Sequence, residues 1–171
     1  MDKPIVIVDE NNNEVGTAAR TDAVQQGLWH RVVVVQVFNS KGEMYIQQRS
    51  HKAPSSPGLW DHSAAGHVDA GEKPEQAARR ELREELGISP DKLTFISEYK
   101  TQRTVGDKIY NRYWYLYTCT YDGEIHIDED EVVDGKFVSI EWLKDELVNA
   151  NEKYTDGIQK SFQELLLRNK K

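Results

Sequence analysis

Cysteine is nearly absent from this 171-residue chain: Cys119 stands alone. One thiol excludes an internal disulfide and fits a reducing compartment such as the cytoplasm. Cys119 lies among the alternating strand residues Trp114, Leu116 and Thr118, so a structural place is expected for it rather than a nucleophilic one. Long apolar runs are missing too. The longest, Val32 to Phe38, is interrupted by Gln36 and is far too short to cross a bilayer. The N-terminal MDKPIVIVDE has no basic region ahead of an apolar stretch, so no secretory leader is expected. Basic charge is in deficit, with 22 Lys and Arg against 29 Asp and Glu and a formal net charge of -7. That balance argues against a general nucleic-acid binder, which needs a basic surface. It also means that an anionic substrate would have to be met by recruited cations.

What is present is ordinary globular material, 38% hydrophobic and 30% charged. No repeat or linker divides the chain, and its length suits one domain over residues 1–171. Ile5 to Val8 and Glu14 to Ala18 flank Asn11, Asn12 and Asn13 and read as a hairpin. Arg31 to Phe38 is a β-branched run suited to a strand buried on both faces. A turn at Asn39 to Gly42 leads into a strand over Glu43 to Arg49. The next loop contains Pro54, Pro57 and Gly58, and Trp60 to Ala65 reads as one short strand. Long strands are expected over Leu93 to Thr104 and Lys108 to Thr120, joined at Gly106-Asp107. Ser139 and Thr155 can each cap a helix, through about Asn149 and Arg168 respectively. Strands, a central helix, more strands and two final helices predict an α/β sandwich with a mixed central sheet.

The central helix is framed by Pro74 in its first turn and Gly87 at its C-terminal end. Ala78, Leu82 and Leu86 make an apolar stripe beside Glu81, Glu84 and Glu85, which project from one side. A charged surface helix laced with Arg79 and Arg83 ion pairs is one reading. Carboxylates gathered around a hard cation such as Mg²⁺ are the other.

The spacing decides between them. Gly66, five residues, Glu72, seven residues, Arg80-Glu81-Leu82, one residue, Glu84-Glu85, one residue and Gly87-Ile88 resembles the Nudix box, GX5EX7REUXEEXGU, at every specified position. The resemblance implies a Nudix-type sandwich and hydrolysis of a diphosphate linkage in a nucleoside diphosphate or similar small metabolite. It implies Mg²⁺ or Mn²⁺ as cofactor, held by Glu81, Glu84, Glu85 and the carbonyl of Gly66. Catalytic residues by the same resemblance are Glu81, Glu84, Glu85, Arg80 and, from the later acidic loop, Glu131. Arg80 would orient a box glutamate, with Glu72 or Glu81 as partner, and Glu72, Gly71 and Gly87 support the box. The expected partner is a small phosphorylated substrate, with no nucleic-acid polymer and no membrane. A homodimer is compatible with the family, though no residue pattern here specifies one.

The stretch HRVVVVQVFNSKGEMYIQQRSHKAPSSPGLWDHSAAGH is similar to the Nudix branch that contains isopentenyl-diphosphate isomerase. Those isomerases use a cysteine just before the box glycine, where this chain has Ala65, and three histidines with two glutamates on a metal. His30, His67, Glu129 and Glu131 would match four of those ligands, and Ala23 stands in place of the fifth. The chain therefore reads as a hydrolase from that neighbourhood, with the isomerase and a non-catalytic nucleotide-binding module as alternatives. The partial set is either a second metal or substrate-phosphate site, or ordinary hydrogen-bonded histidines. Arg49, His51 and Lys52 form a basic patch able to hold a terminal phosphate. Trp60, Tyr113 and Tyr115 either line the ligand pocket or belong to the core.

Overall fold

Ten residues from Trp29 to Phe38 form the strand around which the rest is ordered. The computed structural model describes residues 3–106 and 108–168. In chain order the strands are β1 (Ile5–Val8), β2 (Glu14–Ala18), β3 (Trp29–Phe38), β4 (Met44–Arg49), β5 (Trp60–Asp61), β6 (Ala64–His67), β7 (Thr94–Val105), β8 (Lys108–Thr120) and β9 (Val132–Val138). The helices are α1 (Arg20–Gln25), α2 (Pro74–Leu86), α3 (Ile140–Asn149) and α4 (Asp156–Arg168), with a 3₁₀ turn at Asn151–Lys153. β3 runs parallel to β8 from Trp29 opposite Asn111 to Phe38 opposite Thr120. On its other side it pairs antiparallel with β6, Val32 opposite His67 through Val35 opposite Ala64. β7 forms a long hairpin with β8. The antiparallel ladder of β9, β4 and β5 joins β3 where Phe38 meets Met44.

Alternation along β3 gives both faces an apolar surface to cover. Val33, Val35 and Val37, with Tyr113, Tyr117 and Cys119 of β8, pack against Ala77, Ala78, Leu82 and Leu86 of α2. Val32, Val34, Trp114 and Leu116 face the other way, against Leu165 of α4. Met44 and Ile46 of β4 pack with Leu143 of α3 and with Ile158 and Phe162 of α4. Helices thus cover both sides of a mixed sheet, the α/β sandwich expected. Both late helices start at their expected caps. Ser139 Oγ accepts from Trp142 N at 3.2 Å, and Thr155 Oγ1 accepts from Ile158 N at 3.2 Å.

Three elements depart from the expectation. The single strand over Trp60 to Ala65 is two strands with different partners: Trp60 and Asp61 pair with β4, and Ala64 to His67 pair with β3. Between them Ser63 Oγ accepts from Val37 N at 2.8 Å and donates to the Tyr45 carbonyl at 2.5 Å, pinning the crossing. The short helix α1 carries no side-chain cap, and β9 alternates too weakly to stand out in an acidic stretch. Asp107, at the expected β7–β8 turn, lies outside the described residues.

Candidate functional site

The segment after β6 is positioned by a contact that only glycine permits. A Cβ on Gly66 would lie 1.8 Å from Glu81 Oε1, so the edge strand and α2 meet at this residue. Gly71 turns the loop at φ +78°. Lys73 N donates to Gln76 Oε1 at 2.9 Å to open α2, and Gly87 closes it with its N–H on the Arg83 carbonyl at 3.1 Å. The Ala77, Ala78, Leu82 and Leu86 stripe is fully buried, which fixes the rotation of the helix. Glu81 and Glu85 are consequently drawn inward, 8% and 5% exposed, while Glu84 stays open to solvent.

Arg80 sits among the acids. Its Nη1 donates to Glu81 Oε1 at 2.6 Å and to Glu84 Oε2 at 3.0 Å. Its Nε and Nη2 reach Glu72 at 3.1 and 3.0 Å, and Nη2 also donates to the His67 carbonyl at 2.8 Å. Both anticipated partners, Glu72 and Glu81, are therefore engaged at once. Glu85 turns the other way and accepts from Gln47 Nε2 at 2.6 Å. Burial pushes the Glu81 carboxyl up to about 7, against the pull of Arg80. Burial and the neighbouring Glu81 charge push Glu85 well above the usual carboxylate range, and Glu131 adds to both.

These residues share one cavity of about 680 Å³. Glu81, Glu84, Glu85, Arg80, Gly66 and Glu131 lie on its wall with Arg49 and Lys52. So do residues that the sequence reading passed over: Gln47, Asp61, His62, Arg20, Arg112 and Trp114. Asp61 is buried, and burial works against its charge. The adjacent His62, Thr155 Oγ1 at 2.6 Å and Arg49 Nη1 at 3.3 Å outweigh that and hold it well below the usual carboxylate range. Little in the sequence singles out Gln47 or Asp61, since Gln47 is followed on β4 by the polar Gln48 and Arg49, and Asp61 lies on a two-residue strand.

Other named residues are elsewhere. His51 is exposed, lies beside Gly58 and is not among the lining residues. Glu129 is exposed and is also missing from the wall, so the anticipated histidine–glutamate set does not assemble as four. His30 and His67 do meet, their rings stacked at 5.2 Å. Ala23 is packed with Ile5 and Ile7 in an apolar cluster. Tyr113 belongs to the core on the α2 side and Trp60 to the core under α3 and α4, while Tyr115 accepts a hydrogen bond from Asn12. The aromatic on the cavity wall is Trp114, the opposite parity of β8. Cys119 is buried, its thiol pushed up to about 11 by that burial, and it does not line the cavity.

The donor set fits a hard divalent cation. Two carboxylates are held out of water, Glu81 raising Glu85, beside a third, Glu84, that is open to solvent. Among the described residues no three acidic, histidine or cysteine side chains converge on one point. Arg80 lies between Glu81 and Glu84 and pairs with both.

Comparison with known proteins agrees with this architecture. The family model for the NUDIX domain matches residues 28–158. An isopentenyl-diphosphate Delta-isomerase from Serratia proteamaculans is 35% identical over 156 residues, covering 91% of this chain and 87% of the relative. An uncharacterized Nudix hydrolase from Listeria monocytogenes is 33% identical, covering 81% and 80%. A crystal structure of a Deinococcus radiodurans protein superposes with a TM-score of 0.78 at 24% identity, over 94% of this chain and 98% of that one. The Nudix domain of Shewanella oneidensis NrtR, complexed with ADP ribose, gives a TM-score of 0.62 at 18% identity, over 82% and 88%.

Proposed function

Because the chain belongs to the Nudix family, we propose that it is a divalent-metal-dependent hydrolase cleaving a diphosphate linkage in a small phosphorylated metabolite. One observation carries this reading. Glu81, Glu84, Glu85 and Gly66 open into the same cavity as Arg49 and Lys52, so acids for a cation and bases for a phosphate face one space. The whole chain, residues 1–171, is read as one domain serving that cavity.

Glu84, Glu85, Glu81 and the Gly66 carbonyl would hold Mg²⁺ or Mn²⁺. Such an ion neutralises diphosphate oxygens and lowers the pKa of water when bound. Arg80 bridges Glu81 and Glu84 through Nη1 and orients both. Lys52 and Arg49, both on the cavity wall, would meet the phosphate oxygens, Arg49 being steadied by Asp61. Glu81 is suited to accept the proton of the attacking water. Its carboxyl is raised to about 7, and Oε1 is engaged by Arg80, which leaves Oε2 for the proton. Glu131, exposed at the cavity wall, is the second candidate for that role.

A second reading, an isomerase of isopentenyl diphosphate, is favoured by the identity to the Serratia relative. Against it stands Ala65 at the cavity wall, in the position matching the isomerase cysteine, with Cys119 on the α2 side of the sheet. The two readings separate on one product. Incubation with Mg²⁺ and isopentenyl diphosphate should release phosphate or leave the compound intact. Rearrangement of the double bond without phosphate release would replace the hydrolase reading with the isomerase one.

A further inference from the structure

The cavity has a second wall of opposite character. Side chains alternate across β6, so Gly66 faces α2 while Ala65 and His67 face the other way. His67 is level with Val32 of β3, and Val32 with Trp114 of β8. Two residues back on the same face, His30 is level with Arg112. The Arg112 guanidinium lies over the rings of Tyr110, at 4.8 Å, and Trp114, at 5.6 Å. Its Nε is sealed from solvent without a hydrogen-bond partner. Among the described residues no carboxylate forms an ion pair with Arg112. Asp61 carries the right charge but is spent on His62, Thr155 and Arg49. Arg20, exposed at the start of α1, lines the same wall, and Arg103 does so while paired with Asp156.

A half-buried guanidinium with a sealed Nε and no ion-pair partner among the described residues, balanced only by the more distant Asp61 charge, is costly, and the nearby Arg20 guanidinium increases the cost. The unsatisfied groups here ask for an anion. They are also wrong for a metal. His30 donates through Nδ1 to the Leu28 carbonyl at 2.9 Å, no carboxylate joins the histidine pair, and burial, reinforced by Arg20 and Arg112, disfavours positive charge on His67. We infer that Arg112 and Arg20, with the partnerless Nε2 of His67 beside them, form an oxyanion subsite. It takes a phosphate or carboxylate group that the substrate carries apart from the diphosphate being cleaved. This deepens the hydrolase reading and rests on it for the word substrate: the moiety beyond the diphosphate is itself anionic. Planar, forked donors suit either oxyanion.

The subsite can be tested without turnover. Inorganic phosphate and malonate are titrated calorimetrically into the full-length, metal-free protein in EDTA, which removes any contribution from the box metal. Saturable binding of at least one is expected. It should be about tenfold weaker in Arg112→Gln, weakened less in Arg112→Lys, and weakened measurably in Arg20→Ala, as loss of a charge-assisted donor predicts. Preference for phosphate identifies a phosphoryl group on the substrate, and preference for malonate a carboxylate. Arg20 is exposed, so its variant gives a result even should Arg112→Gln fail to fold. Absence of saturable binding, or affinity unchanged in both Arg112→Gln and Arg20→Ala, overturns the subsite. Failure of the hydrolase reading appears separately, as absent metal-dependent cleavage with phosphate binding retained.

Discussion

At Glu81, burial and charge oppose each other most directly. Its carboxyl is raised from 4.5 to about 7, so the folded protein keeps a proton there that the unfolded chain has already lost. Stability from this group is full below pH 4.5 and declines as pH rises through about 7. The metal-free protein should therefore lose roughly 1–3 kcal/mol across that window on this account, and Glu81→Gln should flatten the decline. Melting temperatures at pH 5 and pH 8 for both proteins check it, and equal slopes would contradict the burial assigned to Glu81. Gly66→Ala tests the contact from the other side. Its Cβ would meet Glu81 Oε1 at 1.8 Å, so the acid or the helix must shift. Diphosphate cleavage is expected to drop by about 100-fold or more, the scale on which misplaced catalytic groups act. A variant with ordinary turnover would show that the close approach is dispensable.

At the scale of elements, α2 is held by its stripe and α3 by its cap, and the two should respond differently. Leu82→Ala removes a fully buried side chain and should cost about 2–5 kcal/mol in denaturant unfolding. Ser139→Ala removes the cap bond to Trp142 N and should cost about 1 kcal/mol with cleavage unchanged. A larger penalty at Ser139 would mean that α3 is packed more delicately than Leu143 alone implies. The same elements explain what the sequence disclosed. The α2 stripe and the 23-residue box pattern were readable because helix period and fixed identities coincide in one segment. Parity on β8 was not. Tyr113, Trp114 and Tyr115 are all aromatic, so alternation alone cannot say which faces the cavity, and the packing beside β3 places Trp114 there. The break at His62-Ser63 was hidden for a related reason. Strand propensity continues through it, and only the partner strand changes, from β4 to β3. Arg20 and Arg112 are separated by 91 intervening residues and carry no local pattern, so their meeting on one wall depends on tertiary packing.

Across the whole molecule, a net charge of -7 coexists with a cavity whose two walls differ in sign. An acidic surface repels an anionic substrate, and on the proposed reading the guanidiniums of Arg20, Arg49 and Arg112 together with a bound cation would reverse that locally. The most direct measurement is cleavage of a panel of nucleoside triphosphates, nucleotide sugars, dinucleotides and isopentenyl diphosphate with and without Mg²⁺, followed by phosphate release and mass spectrometry. Glu85→Gln, its melting curve recorded alongside, is the control. Metal-dependent hydrolysis of at least one diphosphate, lost by about 100-fold or more in Glu85→Gln with the fold intact, is the expected result. Undiminished cleavage in that variant, with a normal melting curve, would contradict the assignment of the box carboxylates to the metal.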